Sequence, residues 1–119
     1  MTRNVIISVG FVAFVQFAIL IVEMFFWRKP WVHRRLGYSQ VDADRVGAIV
    51  ANAGLYNGFL AAGLIWGLVT AHNGTEIEIF FLSCVFIAGV FGAMTLKPTT
   101  LVIQSLPSAV TLFLVLKGK

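Results

Sequence analysis

Four runs of this sequence, each close to the length that crosses a lipid bilayer, carry almost no charge. The clearest is VIISVGFVAFVQFAILIVEMFFW, residues 5–27, with one acidic residue in it. A helix needs about 20 mostly apolar residues to span the hydrocarbon, where no water is present to satisfy a bare backbone. The other runs cover residues 41–70, 77–96 and 98–116, and they leave the 119-residue chain room for little beyond connecting loops. Composition agrees. Hydrophobic residues make up 59% of the chain and charged residues 12%, with a mean hydropathy of +0.91. Soluble domains are about half apolar and a quarter charged, and one small core cannot hide this much apolar surface from water. The chain reads as all-α, a four-transmembrane-helix bundle forming a single integral membrane domain, with the lipid bilayer as its first partner.

The ends of the runs carry boundary signals. The first run is too long for a signal-peptide core and no small-x-small cleavage site follows it, so it reads as an uncleaved helix. It closes on WRKPW, where Trp marks the headgroup level, cations follow and Pro30 prevents simple continuation. The longest loop, residues 28–45, has room for a short interfacial helix around Trp31 to Leu36. Ser39 and Asp42 have the spacing of a capping box, which predicts a second helix from near Val41. Asn73-Gly74 signals a turn; with Thr75 it also matches a glycosylation acceptor, although a tight turn explains it as well. Lys97-Pro98 is the last connection, with Pro98 suited to the first position of the fourth helix.

Net charge is +4. The cations gather in one loop and at the termini, which is membrane sorting and not a nucleic-acid surface; no nucleic-acid partner is expected. Loop 28–45 and Lys97 hold six Lys plus Arg, against three (Arg3, Lys117 and Lys119) on the other side. The bias predicts a cytoplasmic-membrane protein with loop 28–45 and the Lys97 region in the cytoplasm and both termini outside. Cys84 is alone, so it forms no internal disulfide, and its default role is a small core residue. His33 and His72 fall in loops on opposite faces, so no metal or haem site is expected and no cofactor is implied.

Polar residues inside the runs carry the functional question. Glu23 lies about 7 Å inside the Arg28 boundary, where an acid costs up to about 3 kcal/mol. Either it reaches the headgroups, pairing with Arg28 or Lys29, or it faces the bundle, bonded to polar partners or protonated. Gln16 lies two turns earlier on nearly the same face. Counted from the same side, Asn52 is as deep as Glu23, Asn57 is level with Gln16, and Gln104 returns to the Glu23 level. Such groups should converge on one another or on water, because acyl chains cannot satisfy them. Glu23, Asn52, Tyr56, Asn57, Gln16 and Gln104 form the candidate binding or proton site.

ANAGLYNGFLAAGLIWG, residues 51–67, has two faces when unrolled. Gly47, Ala51, Gly54, Gly58, Ala61 and Ala62 form a small-residue stripe; Asn52, Tyr56, Gly63 and Gly67 lie nearly opposite. Gly54-x-x-x-Gly58 and Gly63-x-x-x-Gly67 are close-packing motifs, so the second helix should touch neighbours on both sides. Gly89 and Ala93 offer a matching pair on the third helix. Pro107 breaks the fourth helix and frees a carbonyl near Ile103, beside Gln104, Ser105 and Ser108. The break is either a packing kink or the wall of a polar pocket.

With LYNGFLAAGLIWG, EMFFW and SLPSAV in place, nearly the whole chain resembles domain-of-unknown-function family 1304, small bacterial four-helix membrane proteins. Asn52 to Gly63 is the most specific part, then the Glu23 segment and Gln104 to Pro107. The family pattern carries a His in helix one where this chain has Gln16 or Phe17, and a Gln where it has Ala53. A helix-one imidazole therefore carries no chemistry here. The resemblance implies a membrane location and no activity.

Three functions compete. In the first, the chain is a proton-coupled transporter or channel for a small molecule. It looks like the small multidrug exporters in length, helix count and one membrane Glu in helix one, a likeness of fold only. Glu23 is then the proton site, Asn52 and Tyr56 line the path, and the glycine stripe packs a homo-oligomer. In the second, a membrane enzyme acts on a lipid or other hydrophobic ligand with Glu23 as general acid or base. The sequence has no nucleophile–base pair and no G-x-S-x-G to support it, and enzymatic activity stays open. In the third, the chain is an accessory protein whose polar residues specify helix packing.

Overall fold

The computed structural model describes residues 1–118; Lys119, counted above among the cations near the termini, lies outside them. The described residues are almost entirely helical, and none forms a strand. Helix α1 (Arg3–Ile21) continues into a wide π-turn (Val22–Phe26). Two short helices follow, α2 (Pro30–His33) and α3 (Gln40–Arg45), before the long helices α4 (Gly47–Val69) and α5 (Gly74–Thr95). A second π-turn (Leu101–Ser105) leads into α6 (Leu106–Lys117). Arg3–Phe26, Gly47–Val69 and Gly74–Thr95 are each long and apolar enough to cross a membrane. The fourth, Leu101–Lys117, is shorter, at 5 + 12 residues. It rises only about 25 Å, against roughly 30 Å of hydrocarbon. The count of four full-length spans is thus corrected to three, plus one shorter apolar helix.

Local chemistry explains the boundaries. Thr2 caps α1 by accepting from the Val5 amide at 3.3 Å, so the helix starts two residues before Val5. Ser39 accepts from the Asp42 amide at 3.2 Å, as its spacing predicts, but the helix it starts is only α3. Val46, at φ −97° and ψ 6°, separates α3 from α4. A continuous helix over 41–70 is therefore replaced by two, and the Arg28 guanidinium lies over Gly47 where they meet. Asn73 takes a left-handed φ of 62°, a conformation that its short polar side chain tolerates, and α5 begins at Gly74, three residues before Ile77.

The outside is more apolar than parts of the inside. Phe11, Phe14, Phe17, Ile49, Phe80 and Phe91 are exposed, whereas Gln16, Ser108 and Thr111 are buried. That inversion fits a chain whose solvent is lipid. The apolar core lies nearer the termini: Val5, Val9, Val12 and Ala13 of α1 meet Leu64, Leu82, Val85 and Val115. At the other end, loop 28–45 is a folded cap. Trp27 is buried and its indole N–H donates to the Ala43 carbonyl at 2.9 Å; Trp31 remains exposed. His33 is buried beside it, its Nδ1–H donating to the Tyr38 carbonyl at 3.0 Å.

Candidate functional site

Glu23 sits in the π-turn that ends the first span. Such widened turns are rare in helices and frequent at functional sites. Its carboxylate accepts from the Asn57 amide group at 3.0 Å. Arg28 does not compete for it, since its guanidinium turns to Asp44 at 3.6 Å and lies over Gly47. The Glu23 backbone is admitted by Gly54, where a Cβ would come within 2.9 Å of the Glu23 Cβ. Gly58 makes the same room for Leu20. The first small-residue motif of α4 therefore packs α1 inside the protomer.

A second polar pair lies deeper. Gln16 is fully buried, and its Nε2 approaches Gln104 Oε1 at 3.5 Å; its own Oε1 has no partner. Gln104 thus meets Gln16 and not the Glu23 level from which it was counted. It too sits in a π-turn, with Pro107 just beyond. Proline cannot donate to the preceding turn, and hydroxyls cluster around the break. Ser108 Oγ lies 2.7 Å from the Gln104 carbonyl and 3.0 Å from that of Ser105. Ser105 donates to the Phe86 carbonyl at 2.9 Å, tying the break to α5. Toward the termini, Ser8 of α1 meets Thr111 of α6 through their hydroxyls.

Asn52 and Tyr56 do not join these pairs. Both are exposed, Tyr56 at 64%, on the outer face of α4, with Tyr56 edge-on to Phe59. The reason is helical phase: Asn57 lies about 100° round from Tyr56 and 140° from Asn52. The other small residues also serve internal contacts. Gly63 faces the Phe81 ring, Gly67 faces Glu78, and Gly89 faces Ser105 in the π-turn before α6, so it does not match α4.

The sequence reading passed over Glu78. It is fully buried, and neither carboxylate oxygen has a hydrogen-bond partner. Its place near the start of an apolar run resembles an ordinary first-turn acid, as Glu76 is. Among the described residues, no three His, Cys, Asp or Glu side chains gather as metal ligands. The clefts around Trp31, around the α4–α5 turn and around Leu96 are not lined by Glu23, Asn57, Gln16 or Gln104.

No curated protein and no solved structure matches the chain. The family described as "Protein of unknown function (DUF1304)" matches residues 10–116, which include both π-turns and both polar pairs. With nearly its full length matched, the chain belongs to the DUF1304 family.

Proposed function

We propose that this protein is a small carrier of the cytoplasmic membrane that exchanges protons at Glu23 for a small cationic substrate. One observation carries the reading: a span carboxyl, set in a π-turn, held by a carboxamide of a different helix at 3.0 Å. Asn57 orients the carboxyl by donating to it. Gln16 and Gln104 continue the polar groups toward the bundle middle. Asn52 and Tyr56 lie outside the protomer, so on this reading a second copy packs on that face of α4 and completes the path. The Lys and Arg bias supports a cap in the cytoplasm and termini outside.

The test uses the full chain in liposomes with an acidic interior and ethidium as the external cation. Wild-type protein takes up dye while protons leave, and Glu23→Gln lowers both rates at least about tenfold, since an amide cannot exchange the proton. The pairing of Glu23 with Asn57 and of Gln16 with Gln104 within one protomer favours a second reading, an accessory protein. That reading gains if Glu23→Gln lowers stability but leaves proton and dye movement at the level of the wild type.

A further inference from the structure

Glu78 is five residues into α5, about 6 Å along the axis from its start. It is wholly shielded, and among the described residues both of its oxygens lack partners and it makes no ion pair. An ionised carboxylate left so is costly, whereas a carboxylic acid is far less so. The site is built for the group. A Cβ at Gly67 would come within 2.6 Å of both the Glu78 Cδ and its Oε1, so only glycine leaves room for the carboxyl.

The same glycine has a second face. Gly67 lines a cleft of about 380 Å³ at the α4–α5 turn, together with Met1, Thr70, Asn73, Thr75 and Glu76. Gly74 also lies against it, close enough that a Cβ there would be 2.6 Å from the Gly67 carbonyl. Between the carboxyl and the polar cleft, Gly67 therefore contributes backbone alone. A slight parting of α4 and α5 at this end opens one to the other.

We propose that Glu78 is a second ion site, binding a proton that enters from the aqueous phase through the cleft at the α4–α5 turn. The proton adds to one carboxylate oxygen and returns to cleft water by the same route. The geometry selects a proton over a metal cation. A hard cation collects about six oxygens, while one carboxyl supplies two and no other polar side chain is bonded to it.

Few other ionisable groups belong to the surroundings. Helix α4 brings only Tyr56, exposed eleven residues from Gly67. Helix α6 brings only Lys117, exposed at its end. The π-turn before α6 has none. Helix α1 adds Arg3, the π-turn after it Glu23, and α5 itself Glu76 and Cys84. His72 lies in the turn, and Met1, the N-terminal residue, lines the cleft beside it. Glu78 and Glu23 lie toward opposite ends of the bundle. Their α4 contacts, Gly67 and Gly54, are thirteen residues apart, about 20 Å of rise.

The experiment reacts the full chain in liposomes with dicyclohexylcarbodiimide, which modifies protonated carboxyls in apolar surroundings, and maps the adducts by peptide mass. Glu78 should carry an adduct whose yield falls at least about fivefold between pH 6 and pH 9, because only the protonated carboxyl reacts. No adduct on Glu78 at any pH, or a yield that does not change with pH, overturns the proposal. Infrared difference spectra between acid and alkaline samples give a second measurement. The protonated-carboxyl band should lose one component in Glu78→Gln, and an unchanged band overturns the proposal. If Glu78→Gln does not fold, the wild-type adduct still decides. Glu23 falls on a different peptide, so the two sites are scored separately and either can fail alone.

Discussion

At the scale of residues, the bundle is organised by polar side chains that meet in pairs from different helices. The Glu23–Asn57 bond shows how such a pair is made: Gly54 brings the backbones close, and a π-turn aims the carboxyl. Removing one partner should cost more than the bond alone, because it strands the other in a place without water. Asn57→Leu is therefore expected to destabilise the folded chain by about 1 to 2 kcal/mol. Equilibrium unfolding in a fixed detergent checks this, and an unchanged midpoint would mean that Glu23 finds another partner. The residues behind this pair were legible as a set, since carboxyl and amide groups stand out in an apolar run. Their pairing was not: depth counting put Gln104 with Glu23, whereas the fold joins it to Gln16.

At the scale of elements, α4 is the spine. Its glycines face α1 at Gly54 and Gly58 and face α5 at Gly63 and Gly67. The π-turn before α6 packs on α5 through Gly89, where a Cβ would meet the Ser105 backbone nitrogen at 2.7 Å. Backbone cannot rotate aside as a side chain does, so Gly89→Ala must part α5 from the π-turn. A loss of about 1 to 3 kcal/mol is expected. Gly10 has nothing within 4 Å of a built Cβ. Gly10→Ala should be neutral or raise stability by up to about 1 kcal/mol through helix propensity. Thermal unfolding of the two variants side by side tests the contrast. Pattern alone predicted that α4 has neighbours on both sides; it did not predict that Asn52 and Tyr56 would be left on an uncovered face.

At the scale of the whole molecule, the structure extends 49 Å along its longest axis and 24 by 18 Å across. The long axis exceeds the hydrocarbon thickness of about 30 Å, and the folded cap around Trp27, Val32 and Ala43 adds to one end. Whether the short fourth helix crosses is the topological question. Single cysteines at Arg35, His72 and Gly118, in a Cys84→Ser background, answer it with a membrane-impermeant thiol reagent applied to intact cells. Full crossing and the charge bias together predict reaction at His72 and Gly118, with Arg35 reacting only after permeabilisation. Gly118 reacting with Arg35 and not with His72 would mean that the fourth helix turns back.

The sequence by itself determined the class of this protein. Apolar length and scarce charge admit only helices in lipid, because the backbone must satisfy itself there. It also marked most of the polar residues that such a solvent makes expensive. Tertiary structure alone decided which of them meet. A few tens of degrees of helical phase, two widened turns and the close approach that each glycine permits set the partners. Those quantities arise from packing between segments far apart in the chain. They hold Glu23 against Asn57, leave Tyr56 outside, and seal Glu78 behind Gly67.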